Sequence, residues 1–170
     1  MAAGATHVLL IRPKSGQLLS WGAVANGVLG HSCMARHSSP KAVEFFANMN
    51  KGLLRVTVIS VACGKAHSMA LTDCGLYSWG SSKHGQLGLG RKVLMTKHPT
   101  LVSRLAKIAL VGIACGQYHS AAWSDKGNKH TMLQIFSKYE VNTKNLKKFL
   151  PLRFYVKSFY GISEVSKPAI

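Results

Sequence analysis

The residue types best suited to chemistry are two Cys-x3-His pairs, Cys63 with His67 and Cys115 with His119. Cysteine and histidine at short spacing are the donor set of half a zinc site. The two pairs occupy equivalent places in stretches of sequence 52 residues apart. Each therefore belongs to its own copy of a repeated unit, and the spacing gives them no reason to converge. A buried thiol beside a hydrogen-bonded structural histidine accounts for both, and no metal is expected. A second candidate is the run Gly85-Gln86-Leu87-Gly88-Leu89-Gly90-Arg91-Lys92. Gly85 and Gly90 have the separation of a phosphate-binding loop, but such a loop continues Gly-Lys-Ser/Thr so that a hydroxyl reaches magnesium. Arg91 and Lys92-Val93 stand there instead, so no nucleotide cofactor is expected. His67, Ser68 and Asp73 have the types of a hydrolytic triad, yet they share one hairpin and read as strand and turn residues. Asp73 and Asp125 fall in turns, where Asp caps its own backbone. Only Glu44, Asp73, Asp125, Glu140 and Glu164 carry carboxylates. Acid–base catalysis is thus poorly supplied, and the chain reads as no enzyme.

The elements that hold these residues come in copies. Cys63-Gly64-Lys65-Ala66-His67-Ser68 through Asp73-Cys74-Gly75 recurs as Cys115-Gly116-Gln117-Tyr118-His119-Ser120 through Asp125-Lys126-Gly127. A weaker copy, Gly4-Ala5-Thr6-His7 followed by an apolar run to Ile11, opens the chain. The second half of the unit repeats too: Ser20-Trp21-Gly22 then Asn26-Gly27-Val28-Leu29-Gly30 matches Ser78-Trp79-Gly80 then His84-Gly85-Gln86-Leu87-Gly88, at an offset of 58. Periods in the fifties suit a propeller blade. Residues 54–62 and 108–115 are β-branched and apolar, as buried strands are. Residues 67–71 and 76–79 are short runs joined by the turn Thr72-Asp73-Cys74-Gly75. The fold is expected to be all-β, a partial β-propeller of about two to two and a half blades. The glycines serve positive φ or close approach of neighbouring blades, and Trp21 and Trp79 are expected to plug the gaps between blades.

Ala62-Cys63-Gly64-x-x-His67-Ser68-x-Ala70-Leu71-Thr72-Asp73-x-Gly75-x-Tyr77-Ser78-Trp79-Gly80, then Gly85-Gln86-Leu87-Gly88-x-Gly90, resembles the repeat of the regulator of chromosome condensation family. Residues 62–90 match it nearly throughout. Residues 114–127 match its first half, with Trp123 where Leu is usual, and residues 4–30 match loosely, with Val28 in place of Gln. The structural positions that the resemblance assigns are Gly64, His67, Gly75, Trp79, Gly80, Gly85, Gly88, Gly116, His119, Gly127, Trp21 and Gly22. Members usually close a ring of seven blades. The resemblance implies protein–protein interaction or scaffolding, guanine-nucleotide exchange on a small GTPase through a propeller face, or chromatin attachment through a basic surface. Scaffolding ranks first because exchange needs a large preformed face.

The repeat is expected to occupy residues 1–127 and to break there in mid-blade. Residues 128–170 carry eight Lys or Arg against two Glu, and seven of the fourteen aromatics. Met132, Ile135, Phe136 and Tyr139 suit one face of a helix across Thr131–Tyr139. A second helix through 144–149 would end at Pro151, and 153–160 alternate loosely like a strand. Three explanations fit an incomplete ring: a truncated or alternatively spliced product, a part completed by a partner, or a tail that covers the exposed blade; the first is preferred. Lys144, Lys147, Lys148 and Arg153, interleaved with Phe149, Phe154 and Tyr155, are candidate contacts to nucleic acid or an acidic membrane surface, against the plainer reading of a solvated tail. The net charge of +17 favours polyanionic partners in general. No apolar run reaches membrane-spanning length. With no secretory signal and four cysteines, the expected compartment is reducing, cytoplasmic or nuclear, with free thiols.

Overall fold

The computed structural model describes residues 1–23, 25–32, 36–49, 56–126, 129–136 and 155–156. They form three four-stranded sheets that follow one another along the chain. The first holds β1 (Ala2–Ala3), β2 (His7–Ile11), β3 (Leu18–Gly22) and β4 (His37–Ala42); the second β5 (Val58–Cys63), β6 (His67–Thr72), β7 (Gly75–Ser81) and β8 (Met95–Leu101). The third holds β9 (Leu110–Cys115), β10 (Ser120–Lys126), β11 (Lys129–Phe136) and β12 (Tyr155–Val156). Every pairing is antiparallel except β11 with β12. This is the all-β partial propeller that the repeat predicts, with three blades present.

The middle blade is covered on both faces, and its sequence says why. Along β6 and β7, Ala70, Tyr77 and Trp79 join Leu9, Leu18, Val43, Phe46, Val56 and Val58 in one core against the first blade. Met69, Leu71 and Leu76 turn the other way, to Val102, Leu105, Ile113 and Ala122. All six residues of β6 are buried, so Met69, Ala70 and Leu71 pack on both faces while its polar members, His67, Ser68 and Thr72, are each hydrogen-bonded. Phe46 reaches the first of these cores from a short helix, α1 (Glu44–Met49), where its ring packs on Tyr77.

Trp79 is the plug between the first two blades. It is fully buried, and its indole Nε1 donates to the Val28 carbonyl of the preceding blade at 2.8 Å. Trp21 holds the same register, opposite Val8 as Trp79 is opposite Ser68. It is only half-buried, because the plug reaches back to a preceding blade and none precedes it among the described residues. Glycines allow the close approach at the hub. A Cβ on Gly64 would lie 2.7 Å from the Gly116 carbonyl oxygen, and one on Gly4 would lie 2.6 Å from that of Gly64. Gly80 has φ of 100°, which lets Ser81 N–H reach the Ala66 carbonyl at 2.8 Å. Trp123, the departure from the repeat, lies opposite Gly112, whose missing Cβ leaves room for the indole.

Three expectations need correction. The helix read across Thr131–Tyr139 is absent: residues 129–136 are strand β11. The outer edge of β10 offers a row of backbone hydrogen-bonding groups, and pairing with it outweighs the helical spacing of Met132, Ile135 and Phe136. The register places Phe136 opposite Ser120, where Trp79 stands opposite Ser68. The division expected at 127 therefore lies between two strands, β10 and β11, that pair in one sheet. Asp73 does not cap its own turn. Its Oδ1 accepts from Thr57 N–H at 3.1 Å, while the Thr72 hydroxyl accepts from Cys74 N–H at 3.1 Å. The expected helix at 144–149 and most of the strand at 153–160 lie outside the described residues.

Truncation at the plug should be costly. Trp79→Ala is expected to lower unfolding free energy by roughly 3–5 kcal/mol, the range for an aromatic removed from a core, and Trp21→Ala by less than about half of that. Urea unfolding followed by circular dichroism measures both, and equal losses would contradict the assignment of Trp79 as the joint.

Candidate functional site

Each joint between blades carries the same hydrogen-bonded relay. His7 Nε2 lies 2.9 Å from Ser68 Oγ, and His67 Nε2 lies 2.8 Å from Ser120 Oγ. All four side chains are buried. The Ser68 hydroxyl also donates to the Val28 carbonyl at 2.8 Å. A hydroxyl has one proton, and a carbonyl can only accept. Ser68 therefore accepts from His7, which fixes His7 as the neutral Nε2–H tautomer. Its Nδ1 has no partner, so a proton added there would be a buried and unpaired charge. Burial accordingly pushes both His7 and His67 down to about 4. His119, the third copy, is half-buried, and burial lowers it as well.

The serines of this relay repeat in register in the sequence, but the structural positions assigned there were glycines, histidines and tryptophans. Their signal was the in-register His-Ser of the second and third copies. The Ser of each Ser-Trp-Gly behaves alike: Ser20 and Ser78 donate to the carbonyls of Leu29 and Leu87, each at 2.7 Å. These bonds tie the two halves of the motif together. In the first copy Val8 replaces the serine after the histidine.

The Cys-x3-His pairs serve the same joints. Cys63 Sγ lies 3.6 Å from the Ala2 carbonyl, and Cys115 Sγ lies 3.7 Å from Ser120 Oγ. Burial pushes the Cys63 thiol up to about 12 and the Cys115 thiol up as well. Burial thus favours the thiol form of both. No group of three His, Cys, Asp or Glu converges among the described residues. Cys63, Cys74 and Cys115 are free. Gly22, Gly75, Gly85 and Gly88 take left-handed φ in their turns, and Gly116 repeats the hub contact of Gly64 against His119. Gly127, Lys144, Lys147, Lys148 and Arg153 lie outside the described residues.

The accessible feature is one end of the blades. Because β1–β4, β5–β8 and β9–β11 each run up and down in antiparallel order, the connections 4–6, 64–66 and 116–119 at the hub emerge at the same end as the long connections 23–36 and 82–94. The hub loops touch: Lys65 N–H donates to the Gln117 carbonyl at 3.2 Å. Above them the Lys65 ammonium donates to the Tyr118 hydroxyl at 3.0 Å and lies 5.4 Å from the ring centroid. The His84 ring meets Tyr118 edge-on with centroids 4.8 Å apart. The buried Gln86 holds that loop, its Oε1 accepting from His84 N–H at 2.8 Å. Two blades thus build one exposed Lys–Tyr–His cluster. Among the described residues no helix is long and apolar enough to cross a membrane.

The relay makes stability depend on pH in a set direction. His7 and His67 titrate near 4 when folded and near 6.5 when unfolded. Between these values the unfolded chain binds more protons, so stability is full above about pH 6.5 and falls as the pH drops toward 4. Each histidine accounts for on the order of 3 kcal/mol over that window. Urea midpoints across the window should fall in this way, and His67→Gln, which keeps a donor without a titration, should flatten the slope; a flat wild-type profile would contradict the relay.

The comparisons agree with this architecture. The family model of the regulator of chromosome condensation (RCC1) repeat matches residues 15–71 and 74–123, and a second model of that repeat matches 58–86. The chain is 38% identical over 112 residues to the E3 ubiquitin-protein ligase HERC2 of Homo sapiens, covering 65% of this chain and 2% of that protein. Among solved structures it resembles human WBSCR16, with a TM-score of 0.60 and 26% identity over 74% of this chain and 30% of that one. It also resembles Prp20p of Saccharomyces cerevisiae, with a TM-score of 0.56 and 26% identity over 71% of this chain and 28% of that one. The chain thus spans less than a third of the length of these relatives. Its repeated glycines, inter-blade tryptophan and His–Ser joints, with family models matching more than half its length, make it a member of the regulator of chromosome condensation repeat family.

Proposed function

We propose that the chain is a protein-interaction module that presents the hub and long loops of adjacent blades as one preformed surface. The observation that carries this reading is the cluster of Lys65, His84 and Tyr118, built from two blades whose joint fixes their spacing. A surface held by buried relays loses little conformational freedom on binding, which favours affinity. The chemistry available at this end is recognition: ammonium, phenol and imidazole groups with no carboxylate beside them among the described residues.

Guanine-nucleotide exchange is the second reading. It is favoured by the likeness to Prp20p, whose structure is described together with its binding properties to Gsp1p and histones. The chain spans 28% of that protein, so a GTPase would meet a correspondingly small part of the face. Attachment to chromatin and contacts through Lys144, Lys147, Lys148 and Arg153 rest on net charge and on the family alone. A cytoplasmic or nuclear setting is part of this proposal.

Two measurements test it. A photo-crosslinking amino acid in place of Tyr118 should yield discrete protein adducts in cells, while the same group in place of Lys107, at the opposite end, should not; an identical adduct pattern at both sites would overturn the reading. Release of a fluorescent guanine nucleotide from a panel of small GTPases should proceed at its uncatalysed rate in the presence of the chain. Acceleration would instead establish exchange.

A further inference from the structure

Among the described residues the basic side chains occur at both ends of the blades, but the acidic residues are confined to one. Among the described residues, the end that carries the Lys–Tyr–His cluster holds Arg36, Lys65, Lys83, Arg91 and Lys92, all exposed, and no Asp or Glu. The acidic residues described lie toward the other end of the strands: Glu44 in α1, Asp73 in the β6–β7 turn and, by its place in the chain, Asp125 near the far end of β10. Glu44 is paired with Lys41 at 3.0 Å, and Asp73 is bonded to Thr57. Neither is placed to neutralise the loop end. The separation follows from topology, since alternate connections of a meander emerge at opposite ends.

We infer that the loop end binds a carboxylate-rich peptide segment of a protein partner, with Lys65 and Tyr118 at the centre of the contact. This deepens the reading of the chain as an interaction module and rests on it. The Tyr118 hydroxyl accepts one proton of the Lys65 ammonium, which leaves the hydroxyl's own proton and two ammonium protons free to donate. His84 holds the phenol from the side, so the donors are oriented before a ligand arrives. Charge-assisted hydrogen bonds from such a pair suit a carboxylate oxygen. Lys83, Arg91 and Lys92 on the adjoining long loop extend the field along an extended acidic segment and raise its encounter rate. Nucleic acid fits less well. Single strands are held by successive bases stacked on several open aromatic faces, whereas among the described residues Tyr118 is the one exposed aromatic ring of this end.

The test is fluorescence anisotropy on the full chain. The probes are a short fluorescein-labelled Glu-rich peptide, its Gln counterpart, and a single-stranded oligonucleotide of equal charge. The Glu peptide is expected to bind more tightly than either control, and less tightly as salt rises. Lys65→Glu should weaken it by about tenfold or more, corresponding to about 1.4 kcal/mol. Tyr118→Phe, which removes only the hydroxyl, should weaken it by about threefold, within the net worth of one hydrogen bond. Lys107→Glu, an equal charge change at the opposite end, should change it by less than about twofold, as expected for a distant and screened charge. Equal losses from Lys65→Glu and Lys107→Glu would overturn the proposal, since net charge alone would then explain binding. Tighter binding of the oligonucleotide, or no binding of the Glu peptide by the folded chain, would overturn it as well. Protein adducts at position 118 together with failure of the Glu peptide would remove this ligand class and leave the interaction module standing; loss of the adducts would remove the module.

Discussion

The structure depends on keeping two buried histidines neutral. His7 and His67 each span the joint to the next blade through a hydrogen bond to a buried serine, and at the first joint His7 is the donor. At the first joint Ser68 passes its own proton to the Val28 carbonyl, which also accepts from Trp79. One carbonyl oxygen, with its two lone pairs, is thereby saturated by two donors from the following blade. A buried polar network of this kind specifies a single arrangement when every member is satisfied and is costly when one is not. The glycines at the hub serve it by letting the backbones come close enough for these bonds to form.

The same joints account for the two unequal sides of the chain. Each His and Trp has a direction: histidine reaches forward to the next blade, and tryptophan reaches back to the preceding one. Trp79 and His67 find their partners. Trp21 looks back and His119 looks forward, and both are half-buried. Val8 stands where Ser68 and Ser120 receive a histidine, so the first blade has no hydroxyl for a forward-reaching histidine from another blade. Rigid joints in the middle also explain how loops from two blades can share one cluster. Lys65 and His84 of the second blade and Tyr118 of the third keep their spacing because the relay beneath them is buried.

Much of this was legible in the sequence because repetition of a residue at a fixed offset shows a constraint without showing its cause. Gly64 with Gly116, His67 with His119 and Trp21 with Trp79 announced the blades. The outer strands β4 and β8 were not foreseen. They are polar and carry Pro40 and Pro99, which local propensity reads as loop; at a sheet edge, proline leaves no ladder bond unmade and discourages further pairing. Strand β11 was missed for a different reason. Its helical spacing is a local signal, whereas the demand of β10 for a partner is not local. The confinement of the described acidic residues to one end was hidden too, because it exists only once the meander assigns each connection to an end.

Protonation state carries this account, so it is the quantity to observe directly. Long-range 15N–1H correlation spectra of the histidine side chains would report the tautomer and titration of each ring. His7 is predicted to carry the proton on Nε2 and leave Nδ1 bare, and both rings to stay neutral until the pH approaches about 4. Titration of either ring at its ordinary value of about 6.5, or a proton found on Nδ1 of His7, would contradict it.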